Sequence, residues 1–223
     1  MALHPVLKRS ALFRSMTDEE IIACLRAMET RERTFEKGET ILPFGVPTSR
    51  MCLVMTGSVS LETTDDREEK AVLTTVETGR FFAEPYAIAE NEPLPFTATA
   101  NEKSRILFFR VNAIYEPGHS NAAWLAKFTR NLLEIFARED IALSVRLIHT
   151  RPKTIRGRVL SYLRSVAAKK QTDTFEIPFD RQGLADHLNV ERSALSKELS
   201  KMQAEGLIET KKNRFVIHDH KAE

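Results

Sequence analysis

Apolar residues change their spacing along this chain, and each change marks a new kind of element. Between Thr17 and Glu29 the apolar positions Ile21, Leu25 and Met28 recur at helical spacing, and Thr17-Asp18-Glu19-Glu20 supplies a capping box ahead of them. From Arg31 to Arg110 the period becomes two. The segments Lys37–Leu42, Met51–Met55, Ser58–Glu62, Lys70–Val76 and Ser104–Arg110 read as short strands, separated by turn signals at Gly38, Gly45, Thr56-Gly57, Asp65-Asp66 and Thr78-Gly79. Many short strands with regular glycines predict a compact β-roll, a cupin-like jelly roll.

From Ser120 to about His149 no glycine or proline interrupts a helical pattern. Leu125, Phe128, Leu132, Ile135, Ala142 and Val145 line one side, while Leu133, Phe136, Leu143 and Leu147 line another. A helix with two apolar faces needs two covers, so one face is expected on the β-roll and the other on a second copy of the chain. Phe128, Leu132 and Ile135 are the expected seam of that homodimer. Arg151-Pro152 then ends the helix, and a further helix runs from Thr154 to about Ala168.

The C-terminal pattern is the most informative. Leu184, Ala185 and Leu188 form one short stripe and Leu195, Leu199 and Met202 a second, with Asn189, a residue tolerant of the left-handed turn, between them. Asp180 stands as N-cap of the first helix, and Gly206 follows the second. Two short helices and a tight turn predict a helix-turn-helix. Leu207–Thr210 and Arg214–Ile217 follow as a small hairpin with Lys211-Lys212-Asn213 at its tip, which makes the motif winged. The fold class is therefore α+β: an N-terminal β-roll (1–119), a long dimerisation helix (120–150) and a winged helix-turn-helix (151–223).

Charge sharpens this division. Residues 151–223 hold 15 Lys and Arg against 10 Asp and Glu, net +5, while residues 1–150 hold 18 against 21, net −3. A polyanion partner belongs at the C-terminal end. The two cysteines, Cys24 and Cys52, suit a reduced, cytoplasmic protein and cannot supply the four thiolates of an iron–sulfur cluster. No apolar run spans a membrane, and the first residues lack the apolar centre of a signal peptide. No nucleophile elbow, phosphate loop or zinc-protease motif occurs, so no enzyme and no metal site are expected.

The order of β-roll, long helix and winged helix-turn-helix resembles the cyclic-AMP receptor/FNR family of bacterial transcription regulators over nearly the whole chain. The resemblance rests on Gly38-Glu39, Gly57-Ser58-Val59 and Gly79-Arg80-Phe81-Phe82-Ala83-Glu84 in the roll, on Ile155-Arg156-Gly157-Arg158-Val159, and on Arg192-Ser193-Ala194-Leu195-Ser196-Lys197. It implies a dimeric regulator of transcription that binds an inverted-repeat operator in double-stranded DNA and works with RNA polymerase.

The departures carry information of their own. Cyclic-nucleotide binders of the family place an arginine and a small hydroxyl residue after the Gly-Glu pair to hold the cyclic phosphate. Here the matching segment Asn91–Ala100 contains no arginine or lysine, Pro85 removes a backbone donor, and Ala83 stands where glycine is usual. A buried phosphate without a cation is costly, so cyclic AMP and cyclic GMP are not expected ligands. Phe82, Glu84, Phe96 and Thr97, with Leu143 and Ser144 of the long helix, are the candidate lining of a pocket for a different, apolar effector. Haem is the alternative occupant, as in related regulators of nitrogen-oxide metabolism, with His119 or His149 as axial ligand.

For DNA, the resemblance assigns base reading to Arg192, with Lys197 one turn further in place of the family's second arginine. Ser193 replaces the family's glutamate, which removes an acceptor for cytosine. Ser196 shares the exposed face. Arg181 and Gln182 at the start of the first helix, and Lys211 and Lys212 in the wing, are expected on phosphates. The competing reading is a regulatory protein whose winged domain binds another protein.

Overall fold

In a computed structural model, residues 3–64, 70–89 and 91–218 are described, and the turn residues Asp65-Asp66 lie outside them. The chain divides into two compact units, residues 1–136 and 137–223.

The first unit opens with two short helices, α1 (Pro5–Arg9) and α2 (Asp18–Ala27). The capping box on α2 is present in both directions, Thr17 Oγ1 accepting from Glu20 N and Glu20 Oε2 accepting from Thr17 N. Eight strands follow: β1 (Arg31–Phe35), β2 (Thr40–Leu42), β3 (Met51–Thr56), β4 (Ser58–Thr64), β5 (Lys70–Glu77), β6 (Phe81–Phe82), β7 (Thr97–Ala100) and β8 (Ser104–Phe109). They form two antiparallel four-stranded sheets, ordered β1-β8-β3-β6 and β2-β7-β4-β5. The short helix α3 (Glu84–Ile88) lies between β6 and β7.

The alternation along β3 and β8 builds the roll. Successive side chains on a strand point to opposite faces. Met51, Leu53 and Met55 with Leu107 and Phe109 enter a core shared with α1, α2 and the start of the long helix α4 (Ala123–Thr150). Cys52 and Val54 with Ile106 and Phe108 enter a second core with Val59, Val76, Phe96 and Ala98. A strand buried on both faces loses polar alternation and reads as a continuous apolar run.

The first turns of α4 belong to this unit. Trp124, Phe128 and Leu132 are buried, and the buried Asn131 donates from Nδ2 to the carbonyls of Leu12 and Arg14 at 2.8 and 2.9 Å. The unit boundary therefore falls inside the long helix, not at residue 119. The expected dimer seam needs correction for the same reason: Phe128 and Leu132 are 0% and 4% exposed within a single chain and have no free face. The side chains left bare are Leu133, Ile141, Leu143, Leu147 and Ile148, each more than 60% exposed. Apolar period alone could not show which face the chain itself would cover.

The second unit holds the remainder of α4, then α5 (Ile155–Lys170), β9 (Thr174–Glu176), α6 (Arg181–Leu188), α7 (Arg192–Ala204), β10 (Ile208–Lys211) and β11 (Arg214–Ile217). The three strands pair antiparallel in the order β10-β11-β9. All six stripe residues, Leu184, Ala185, Leu188, Leu195, Leu199 and Met202, are buried in one core with Val159, Leu163 and Phe215. Among the described residues no helix is long and apolar enough to cross a membrane.

Candidate nucleic-acid interface

The helix pair is set by local chemistry. Asp180 caps α6, its Oδ1 accepting from Gly183 N at 2.7 Å. A side chain at Gly183 would meet Asp180 Oδ1 and Phe179 at 3.3 Å, so the glycine leaves room for the cap. Asn189 ends α6 at φ 52° and ψ 56°, the left-handed turn expected of it. Asp180→Ala is expected to cost about 1 kcal/mol of stability, read as a lowered thermal midpoint, because it orphans a helical N–H.

Glu191 caps α7, a role the sequence reading missed. Its carboxylate accepts from the amides of Ser193 and Ala194, each at 2.8 Å, and from the Ser193 hydroxyl. These bonds hold the Glu191 carboxyl below its usual range, the Ser193 hydroxyl contributing most. An acidic residue four positions ahead of Leu195, where the apolar stripe begins, was the available signal. Ser193 thus spends its hydroxyl on the cap.

Beyond the cap, one face of α7 is bare. Arg192, Ser193, Ser196, Lys197 and Ser200 are exposed, while Leu195, Leu199 and Met202 face the core. Among the described residues, neither Arg192 nor Lys197 is held in an ion pair. Lys212 turns the wing at φ 54°, a left-handed conformation that disfavours a lysine by about 1–2 kcal/mol. Arg192 and Lys212, with Asp180, Arg181 and Gln182, line one open concavity of about 680 Å³. Lys211 is exposed on β10.

Two other expected contact residues already make bonds within the domain. Arg181 donates to Thr210 Oγ1 at 2.9 Å, and its guanidinium lies 5.3 Å from the Phe215 ring centre. It ties α6 to the wing. Gln182 donates to Asp186 Oδ1 at 2.8 Å along its own helix.

The hinge arginines also have defined tasks. Arg156 of α5 pairs with Glu198 and Glu205 of α7, its Nε 2.7 Å from Glu198 and its Nη1 2.7 Å from Glu205, and both carboxylates raise its pKa. Arg158 donates to the carbonyls of Leu188 and Asn189 at 3.0 and 2.8 Å, closing the C-terminal end of α6. Their partners lie 30 or more residues away, beyond the reach of local pattern.

In the first unit the candidate effector residues Phe82 and Phe96 belong to one core. Phe82 and Phe96 are core side chains at 3% and 6% exposure, and Tyr86 of α3 packs edge-on against Phe96 with ring centres 5.8 Å apart. Glu84 starts α3 and is buried, near enough to Cys52 for its charge to add to the effect of burial in raising that thiol's pKa. Thr97 is half-buried on β7. Leu143 and Ser144 are exposed on α4 in the other unit. Ala83 is left-handed at φ 64°, which accounts for the family's glycine there.

The two candidate haem ligands differ in what their ring nitrogens meet. His149 is buried with both ring nitrogens engaged, and His119 pairs through Nε2 with Glu116 at 3.4 Å. The His119 ring also packs against the buried Trp124 with ring centres 5.7 Å apart. Among the described residues no group of three His, Cys, Asp or Glu could hold a metal.

Two family models match the chain in the order of its units. The cyclic nucleotide-binding domain covers residues 32–116, and the Crp-like helix-turn-helix domain covers residues 157–222. The chain belongs to the cyclic-AMP receptor/FNR family. It is a DNA-binding transcription regulator with a cyclic-nucleotide-binding-like domain. Comparison with curated proteins returns no match. Among solved structures the chain is similar to CprK complexed with OCPA, at 16% identity and TM-score 0.56, over 87% of this chain and 89% of that one. It is also similar to the N-terminal domain of a transcriptional regulator from Streptomyces coelicolor A3(2), at 22% identity and TM-score 0.52, over 62% of this chain and 94% of that one. At these identities the likenesses speak to the family's fold.

Proposed function

We propose that the chain acts as a homodimer that reads an inverted-repeat operator, placing each α7 in a major groove, and that its roll answers to a ligand other than a cyclic nucleotide. The observation that carries the DNA reading is the bare face of α7, with Arg192 and Lys197 exposed together and Lys212 across the same concavity from Arg192. Arg192 donates two bonds to a guanine edge, Lys197 reaches a base as a point donor, and Lys211 and Lys212 hold phosphate. Arg181 and Gln182 each give one hydrogen bond within the domain, which fixes the frame, and turn their remaining donors to phosphate. Self-association is supported by the bare apolar residues of α4, and DNA by the net charge of +5 in residues 151–223. Such a regulator works in the cytoplasm and acts through RNA polymerase.

The ligand reading is supported by what fills the roll. Leu94 and Phe96 occupy the segment where a phosphate-binding cation is required, at 1% and 6% exposure. Selection of bound sequences from random duplexes tests the DNA reading and should return half-sites with centres about 10 base pairs apart. Calorimetric titration with cyclic AMP and cyclic GMP should show no binding tighter than about 1 mM, the affinity left when a buried anion has no partner. Micromolar binding would overturn that part.

A further inference from the structure

His149 lies in the last turn of α4 and is 3% exposed. Its Nδ1 lies 3.1 Å from Nε2 of His187 on α6, and its Nε2 lies 2.8 Å from Ser165 Oγ on α5. Ser165 donates its own hydrogen to the Tyr162 carbonyl at 2.8 Å. The hydroxyl can then only accept from His149, which fixes a hydrogen on His149 Nε2 and a lone pair on Nδ1. His187 donates to that lone pair from Nε2. The pair can share one added proton, but with both imidazoles protonated one N–H is set against another.

The surroundings oppose that proton. From α5, Tyr162 packs edge-on to His149 with ring centres 5.2 Å apart, and burial pushes its phenol up to about 12, so it supplies no anion. Just ahead of α6, Phe179 stacks on His187 at 4.9 Å. The Asp186 carboxylate is engaged by Gln182. Two fixed cations face the same corner. Arg146 of α4 donates to the Asp186 carbonyl at 2.8 Å, and Arg158 of α5 binds the carbonyls of Leu188 and Asn189. They occupy the carbonyl end of α6, where a helix otherwise favours a cation. Burial lowers the pKa of both imidazoles, and for His187 the charges of His149 and Arg146 lower it further.

We propose that His149 and His187 form an acid-released latch, closed at neutral pH, that fastens the last turn of α4 to the first helix of the helix-turn-helix. Protonation of both imidazoles, His149 included, opens it. Because α6 carries α7 through the Asn189 turn, an open latch loosens the frame that aims Arg192 and Lys197. An unfolded imidazole has the higher pKa, so the unfolded chain binds more protons as pH falls. The latch's stabilisation is complete above the ordinary imidazole range and is lost as pH drops through the folded values. This runs against the usual trend, in which added protons tighten binding to a polyanion.

The effect on DNA rests on the operator reading above, whereas the latch itself does not, so two measurements on the full chain separate them. Imidazole nitrogen NMR at about pH 7.5 should show His149 protonated at Nε2 and bare at Nδ1, with its titration displaced below the ordinary imidazole value. Operator affinity of the wild type should then fall by about tenfold more between about pH 7.5 and pH 5.5 than that of His187→Gln. The glutamine amide takes up no proton, and it can turn either its donor or its acceptor toward His149. A His149 that carries a hydrogen on Nδ1 at neutral pH, or titrates at the ordinary value, overturns the latch whatever the DNA does. If NMR behaves as expected but wild type and His187→Gln lose affinity equally, the coupling to DNA is overturned. Failure to bind any operator at neutral pH would sink the DNA reading and leave the latch to be judged on the NMR result.

Discussion

Replacing Leu143 and Leu147 together by glutamate should give a folded monomer whose affinity for a two-half-site operator is lower by roughly 10²–10⁴, the usual gain from linking two binding modules. The two leucines are 62% and 70% exposed in the single chain, so neither unit's core loses a contact when they change. In a paired helix, however, the new carboxylates would be pressed against their own copies and against Glu139 and Asp140, at a cost no apolar seam can offset. Sedimentation should show the loss of the dimer, and thermal unfolding should show intact cores. Fluorescence anisotropy on an isolated half-site should change little. A variant that stays dimeric at micromolar concentration would place the seam elsewhere on the chain.

Arg192→Ala should weaken binding to the selected operator by roughly 1–3 kcal/mol and relax discrimination at one base pair in each half-site. Its side chain is exposed and contributes nothing to the core, so stability should hold. Lys212→Ala gives the contrasting result. It should weaken specific and random DNA about equally and reduce the slope of log K against log salt by about one unit, as expected for one lost phosphate contact. Titrations at two salt concentrations on selected and scrambled duplexes separate the two. An Arg192→Ala protein with unchanged affinity and preference would favour the reading in which the winged domain binds another protein.

The helix-turn-helix was legible because its determinants are local. Asp180 and Gly183 are three residues apart, Asn189 needs only its own backbone preference, and each apolar stripe repeats within one short helix. The roll was legible where strands alternate or run apolar, as in β3 and β8. Four strands went unseen for separate reasons. β1 reads Arg-Glu-Arg-Thr-Phe because it is an edge strand with four exposed residues, β6 has only two residues, β7 packs with alanines in place of large side chains, and β9 has three residues. The strand expected from Lys37 begins only at Thr40, because Glu39 turns back, its carboxylate accepting from Glu36 N at 2.6 Å. Side-chain roles failed wherever the partner is distant in sequence. Arg181 resembles any cation at a helix start until Thr210 and Phe215 are brought to it, and His149 resembles a metal ligand until Ser165 and His187 occupy both nitrogens.

The carboxylate that caps α7 has a consequence for the search through a genome. The N-terminus of a helix ordinarily attracts any phosphate, whatever the sequence around it. Glu191 occupies the amides of Ser193 and Ala194 and sets a fixed negative charge beside Arg192. With α7 docked as proposed, every random stretch of DNA would meet that repulsion, while only the operator would answer with base contacts. Against roughly 10⁶–10⁹ competing positions, what matters is the ratio of specific to random binding, and lowering the random term raises it as effectively as any new contact. A regulator docked in this way would give up some grip on DNA at large and spend less of its time on the wrong addresses.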